Sequence, residues 1–425
     1  MTIIVLAILI VLLILVGLPL GFAIITACLG VIWFTGTNPI IVAQRLFSGM
    51  DSFTLLAIPF FLLAGSLMSR GGMTTRLVDF ANALVGRFHG GLAMSNVVSS
   101  VFFSGISGSA VADTSMMGRI FIPAMVREGY SRGFAVGVTA ATSVVAPIIP
   151  PSIGFIVYGV ISGQSIVALF VAGVIPGALF SIAALGYVYW SSRRRNYPVH
   201  EPVPVSEVVR AFWRAAAAIF MPILILFGIV TGVFTVTECS AVAVVYALVV
   251  GMLVYRELTP AGLVDALREA AQTTAVIMII VGAAQLFAWQ LAYAQIPQQA
   301  VALITAISRD PLLFLLLVNL LLLFVGTFME ANAAMVMLVP ILYPVGMALG
   351  VDPIQLGVIT VVNLCLGLIT PPIGLCLAVA CKIADLPLER GVRDVLPFVA
   401  IGVVLLAALS LLPGLSVWLP GLVLN

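Results

Sequence analysis

Apolar residues run in long unbroken stretches along this chain, and charged residues gather between them. Positions 1–44, 133–192 and 395–425 carry no charged side chain. About 20 apolar residues cross a bilayer as a helix, so each run is long enough. In hydrocarbon the backbone must satisfy its own hydrogen bonds, which leaves helices or a closed barrel. Continuous rather than alternating apolar runs select helices. The pattern predicts spans near 3–34, 53–69, 134–161, 166–190, 216–234, 237–255, 273–295, 355–381 and 395–419. Two more apolar stretches, 92–128 and 311–348, are broken in the middle by polar residues.

The broken stretches resemble each other. One reads FSGISGSAVADTSMMGRIFIP from Phe103 to Pro123, the other FVGTFMEANAAMVMLVP from Phe324 to Pro340. Asp113 stands ten residues before Pro123, and Glu330 ten before Pro340. A span interrupted by a proline pair follows in each half: APIIPPSIG (Ala146 to Gly154) and GLITPPIG (Gly367 to Gly374). The acid lies 37 residues before the pair in one half and 41 in the other. Upstream, the spans 3–34 and 53–69 match 237–255 and 273–295 in order.

Charge adds orientation. Only 8% of the residues are charged, against about 25% in soluble domains. With the N-terminus inside, and both broken stretches entering and leaving on one face, 15 of the 18 basic residues fall on the cytoplasmic side. Arg45 and Arg309 fall outside, and Arg119 lies within the first broken stretch. A full crossing at either stretch would destroy this bias. The count therefore predicts two re-entrant hairpins, the first opening inward and the second outward, in two halves of opposite direction. This is an all-α polytopic membrane protein with the inverted repeat and interrupted helices of a secondary transporter. The first apolar stretch continues past Trp33 and reads as a retained span rather than a signal peptide. The net charge of +2 suggests no nucleic-acid partner. The five cysteines sit in apolar segments as small buried hydrophobes, and His89 and His200 lie in polar loops.

Proline pairs inside a span leave upstream carbonyls without donors, which is costly in lipid unless a cation or another group satisfies them. Glycine and serine at a hairpin tip let oxygens converge. Asp113 and Glu330 then supply charge, and intramembrane acids read as functional. Oxygen-only ligation suits Na⁺, and two related copies imply at least two ions. Asp51 and Glu238 each begin a span beside a turn and read as interface residues. Half-helix N-termini favour an anion, with Ser109, Thr114, Asn332 and Asn363 as uncharged donors. No G-x-x-x-x-G-K-[ST] loop occurs, so no nucleotide is expected. An enzyme is not expected either. GISG (Gly105 to Gly108) could hold a serine nucleophile, but both histidines lie in loops and Lys382 ends a span, so no base is at hand. Asp113 and Glu330 cast as a protease pair is the other enzymatic alternative.

The chain resembles the large membrane subunit of tripartite ATP-independent periplasmic (TRAP) transporters over essentially its whole length. The resemblance rests on LLAIPFFLLAG (55–65), SGSAVADT (107–114), APIIPPSIGFIVYG (146–159), AGVIPG (172–177), TGVFTVTECSAVAVVYAL (231–248) and NLCLGLITPPIG (363–374). It implies an elevator mechanism in the bacterial inner membrane, Na⁺ coupling, a small four-helix membrane partner and a periplasmic binding protein delivering an organic acid. The first sodium site would use Ser107, Asp113 and carbonyls near Ala146, Ile149 and Pro151. The second would use Glu330 with carbonyls near Phe324, Gly367, Thr370 and Ile373. Segments 1–91 and 237–310 would be scaffold and arm, 92–165 and 311–385 the transport parts, 166–236 a link, and 386–425 a C-terminal helix. The SGSAVADT form tilts the substrate toward sialic or sugar acids over a C4-dicarboxylate. A stand-alone sodium–dicarboxylate symporter of similar architecture is the alternative. The glutamate in place of a second aspartate, and fewer hydroxyls at its tip, put the second site's coordination in doubt.

Overall fold

The structure, a computed structural model, describes residues 2–199 and 203–424, without the side chains of residues 2–5, 7, 106, 107 and 307; His200 lies outside the described residues. Among the described residues every regular element is a helix. Seven helices are long and apolar enough to cross a membrane: Phe53–Arg70, Ile166–Arg194, Val205–Val230, Val236–Val254, Pro260–Tyr293, Ala331–Ala348 and Leu388–Leu411.

The polar interruptions fall between helices. In the first half Gly91–Ser107 and Ala110–Arg127 form a helical hairpin, joined through Gly108 and Ser109. Gly108 has φ +57°, a conformation suited to glycine. In the second half Pro311–Gly326 packs beside Ala331–Ala348 across the turn 327–330. After each hairpin a helix stops at the proline pair and resumes beyond it: Arg132–Ser143 then Ile153–Ser162, and Pro353–Gly367 then Leu375–Ile383. The Pro150–Pro151 and Pro371–Pro372 bonds are both cis. The halves interlock. Leu375–Ile383 lies against Ala110–Arg127 of the first hairpin, while Ile153–Ser162 lies against Ala331–Ala348 of the second.

Four expected spans differ from the structure; the one placed at 216–234 belongs to Val205–Val230, which starts eleven residues earlier. The stretch 3–34 is two helices, Thr2–Leu15 and Leu20–Thr35. Gly17 (φ +94°) and Pro19 end the first helix and start the second. A Cβ built on Gly30 would lie 3.4 Å from the Leu9 side chain, so the chain doubles back and both ends lie on one face. The span placed at 273–295 is the second part of Pro260–Tyr293. At 34 residues that helix is about 51 Å long, well beyond a hydrocarbon core of about 30 Å. Thr259 caps it and Pro260 occupies its first turn, so it starts early and carries Asp265, Arg268 and Glu269. The span 395–419 ends at Leu411, and Pro413 begins a separate helix, Gly414–Val423.

The buried apolar residues form two clusters of unequal extent. A small apolar cluster of Leu6, Ile10, Ile24, Cys28, Ala283, Leu286 and Phe287 joins the N-terminal hairpin to Pro260–Tyr293. The larger core runs through both hairpins and both interrupted helices and continues into Ala57–Arg70, Val205–Val230, Val236–Val249 and part of Pro260–Tyr293. Ile166–Arg194 and Leu388–Leu411 pack on the hairpins and interrupted helices, tied at their ends by Arg195–Asp394 at 2.8 Å. Arg195 is thus an ion-pair partner as well as part of a basic cluster. Glu238 closes a capping box with Thr235, whose N–H and hydroxyl donate to it at 2.8 and 2.9 Å. All five cysteines are free and buried.

Pro311–Gly326 and Pro353–Gly367 cross through Gly326 and Gly367. A Cβ on Gly367 would come within 2.6 Å of the Gly326 Cα, and backbone cannot yield as a side chain can. Overpacking costs about 1–3 kcal/mol, so Gly367→Ala should lower the melting midpoint of the purified protein. Gly186 has no neighbour within 4 Å of such a Cβ, and Gly186→Ala in mid-helix should hold or raise the midpoint. Thermal unfolding of the two variants checks both.

Candidate functional site

Asp113 is the fourth residue of its helix and is fully buried. The Ser100 hydroxyl donates to its Oδ2 at 3.2 Å, and the Ser143 hydroxyl faces the same carboxylate. Its Oδ1 has no hydrogen-bond partner. Around it two helices contribute polar faces. Asn96, Ser99 and Ser100 come from Gly91–Ser107, and Thr139, Thr142 and Ser143 from Arg132–Ser143; all six are buried. Asn96 Nδ2 donates to Thr139 Oγ1 at 2.7 Å, leaving Asn96 Oδ1 without a partner, as is Ser99 Oγ. Arg119 is not the partner of Asp113: it lies on a cavity wall instead.

Past Ser143 the backbone leaves the helix. The Pro147 carbonyl accepts from the Ser152 hydroxyl. The carbonyls of Ala146, Ile149 and Pro151 accept no hydrogen bond among the described residues. The hairpin tip meets this segment: a Cβ on Gly108 would sit 3.2 Å from the Pro151 oxygen. Ser107 ends the first hairpin helix, and its side chain is outside the described ones. The oxygens left open here are carboxylate, amide, hydroxyl and carbonyl, a hard set suited to an alkali or alkaline-earth cation. No cluster of three His, Cys, Asp or Glu exists among the described residues to hold a softer metal.

The second half is built differently. Glu330 precedes its helix and caps it, accepting from the Ala333 N–H at 3.1 Å and from Asn332 Nδ2 at 2.8 Å. The residue in the helical position of Asp113 is Ala334. The two acids, each ten residues before a proline, therefore hold unlike places, because the second helix starts four residues nearer its proline. The Phe324 carbonyl already accepts from Thr327 N–H and Oγ1, and that of Gly367 from the Thr370 N–H. The carbonyls of Thr370 and Ile373 accept nothing among the described residues.

The two tips adjoin. Gly108, Ser109, Ala110 and Val111 share a small void with Glu330, Ala331 and Asn332, bordered by Pro147 and Cys365. Beside it opens a cavity of about 920 Å³ between Ala57–Arg70 and Pro260–Tyr293 on one wall and both hairpins on the other. Ser109 and Asn332 lie on its wall; Thr114 and Asn363 do not. Thr114 is buried and donates to the Ala110 carbonyl at 2.9 Å. Asn363 is buried too, and its Nδ2 reaches Asn319 Oδ1 at 2.7 Å, while Asn319 reaches Ser410 at 2.9 Å.

The model of the family described as "Tripartite ATP-independent periplasmic transporter, DctM component" matches residues 6–415. The chain belongs to the DctM family. It is 40% identical over 410 residues to the sialic acid TRAP transporter large permease protein SiaM of Vibrio cholerae, covering 96% of each chain. It is 39% identical over 396 residues to the C4-dicarboxylate TRAP transporter large permease protein DctM of Pseudomonas aeruginosa, covering 93% of each. Among solved structures, the Alcanivorax borkumensis YdaH transporter shares the fold, with a TM-score of 0.56 at 15% identity over 89% of this chain and 86% of that one. DctM membership and the seven apolar helices make this a multi-pass bacterial inner-membrane protein.

Sequence reasoning overlooked the polar triads around Asp113. Their signal was present: N-x-x-S-S at 96–100 and T-x-x-T-S at 139–143 share the spacing 0, +3, +4, which aligns side chains on one helix face. In a DctM chain with so few polar residues this recurrence is informative. The capping geometry of Glu330 yields a test. Glu330→Ala removes the cap and should cost about 1 kcal/mol of stability, whereas Glu330→Ser restores a good cap and should melt near the wild type. Thermal unfolding of both variants reads this.

Proposed function

We propose that this DctM-family chain takes up a small organic acid by Na⁺-coupled secondary transport, as the large membrane subunit of a tripartite system. Its partners are a small membrane subunit and a periplasmic binding protein. The observation that carries the coupling is Asp113 Oδ1, fully buried and without a hydrogen-bond partner. A carboxylate oxygen left bare in a low-dielectric interior is costly, and a cation beside it removes that cost. Asn96, Ser99 and the free carbonyls near the proline pair supply further oxygens for a first Na⁺. Ser107 is carried into that site by family resemblance. A second Na⁺ near Glu330, with the Thr370 and Ile373 carbonyls, is coordinated less fully, because the glutamate also caps a helix.

The anion goes to the cavity at the hairpin tips, where the N-termini of Ala110–Arg127 and Ala331–Ala348 converge with Ser109 and Asn332. Helix N-termini favour negative groups. Sialic acid, sugar acids and C4-dicarboxylates all fit this chemistry; relatives named for sialic acid and for C4-dicarboxylate are 40% and 39% identical, so similarity does not separate these substrates.

Movement is of the elevator type. The moving body comprises the hairpins and interrupted helices (92–165 and 311–385), with Ile166–Arg194 and Leu388–Leu411 packed on it. The static body is the N-terminal hairpin with Ala57–Arg70, Val236–Val249 and Pro260–Tyr293. Where Ala57–Arg70 faces Ala110–Arg127, the side-chain hydrogen bond among described residues is the weak one from Ser69 to Met116 Sδ at 3.8 Å. Sliding there would break no ion pair among the described residues, but it must part apolar contacts of the shared core. The arginine-rich face is cytoplasmic. Because residues 3–34 double back, the same count puts the N-terminus on the periplasmic side, not the cytoplasmic side as a single span required.

Two outcomes test this reading. In proteoliposomes holding all three proteins, an inward Na⁺ gradient should drive uptake of labelled N-acetylneuraminate or succinate, and Asp113→Asn should abolish the Na⁺ dependence. Uptake indifferent to Na⁺ in the wild type would overturn the coupling. Oxidative cross-linking of Ser69→Cys with Met116→Cys should stop uptake, and reduction should restore it. Full uptake by the cross-linked protein would contradict sliding at this boundary.

A further inference from the structure

Four charged side chains line the large cavity: Arg70, Arg119, Glu269 and Glu330. Three have hydrogen-bond or ion-pair partners. Arg70 pairs with Glu269 at 3.2 Å and Asp265 at 3.6 Å, and Glu269 also accepts from the Ser66 hydroxyl at 2.8 Å. Glu330 accepts from two N–H donors on its own helix start. Arg119 makes no ion pair or hydrogen bond among the described residues. It is exposed, and stands midway along Ala110–Arg127. A cation there is expensive in a membrane unless something offsets its charge. Arg119 is thus the charged side chain on this wall that has no polar partner among the described residues.

Arg119 also lies in register with the hairpin tip. Ser109, Ala112, Ser115, Met116 and Arg119 all line the cavity, following the three- and four-residue steps of one helix face. Ser109 lies ten residues before Arg119, about 15 Å along the axis. Helical side chains lean toward the N-terminus, so the long arginine side chain shortens that gap toward the tip. A small acid lodged at Ser109 and Asn332 would have room for an anionic group directed down this face.

We propose that Arg119 binds an anionic group of the transported acid within the cavity, while Ser109, Asn332 and the helix N-termini receive its other polar end. This rests on the organic-acid reading above. It assigns selectivity for negative charge to a side chain on the wall rather than to the tips alone. Glutamine keeps length and polarity but removes the charge; lysine keeps charge without the planar fork.

The test is equilibrium binding of labelled N-acetylneuraminate and succinate to the purified membrane complex in saturating Na⁺, with no binding protein present. Arg119→Gln should weaken the acid that the wild type binds by about tenfold or more, the scale of one charged hydrogen bond. Arg119→Lys should recover much of that loss. Arg127→Gln, a charge removed from the same helix outside the cavity, should bind as wild type. Unchanged affinity in Arg119→Gln, failure of lysine to rescue, or an equal loss in Arg127→Gln would overturn the assignment. A wild type that binds neither acid would instead overturn the organic-acid reading for these substrates, and the role of Arg119 with it.

Discussion

A carboxylate shut inside a membrane protein needs company, and Asp113 has too little of it. Burial strips it of water, and Ser100 answers one oxygen while the other has no hydrogen-bond partner, with the Ser143 hydroxyl facing the carboxylate. The surrounding features can be read from that deficit. Asn96 Oδ1 and Ser99 Oγ, on the same helix as Ser100, have no partner. The proline pair leaves carbonyls of Ala146, Ile149 and Pro151 unclaimed. Gly108 lets the hairpin tip approach the Pro151 oxygen where a side chain would intrude. These open oxygens are what the proposed cation would complete.

The two halves share a framework and differ in chemistry. Each has a hairpin followed by a helix interrupted at a proline pair, and each interrupted helix packs on the opposite hairpin. In the first half the central polar network contains an acid. In the second its counterpart is neutral, running from Asn319 to Asn363 and Ser410. The second acid has moved to the helix start, where it caps and borders the cavity. Symmetry of backbone with asymmetry of charge leaves the first half with a buried, underpartnered acid and sets Glu330 on the cavity wall.

Much of the helical framework was legible because each device leaves a mark: charge-free runs for helices, small polar residues for tips, paired prolines for interruptions. The reading failed where geometry depends on partners. Gly17–Leu18–Pro19 turns the chain back, but glycine and proline also occur within membrane helices, so the pattern alone suggested one span. The acid-to-proline spacing suggested equivalent acids, yet helix starts are decided by capping, and Glu330 became a cap. Thr114 and Asn363 were reasonable anion donors by type, but their rotation on the helix turns them into the core. Arg119 was visible only as an exception to the orientation count; its lack of a partner needed three dimensions.

The most direct measurement is equilibrium binding of radioactive Na⁺ to the purified membrane complex, wild type against Asp113→Asn. Asparagine is nearly isosteric, so the fold and the Ser100 contact should persist while the charge is lost. The account predicts one fewer saturable Na⁺ per chain in the variant, with the remaining binding retained. Identical stoichiometry and affinity in the two proteins would contradict it, and would return Asp113 to a structural role.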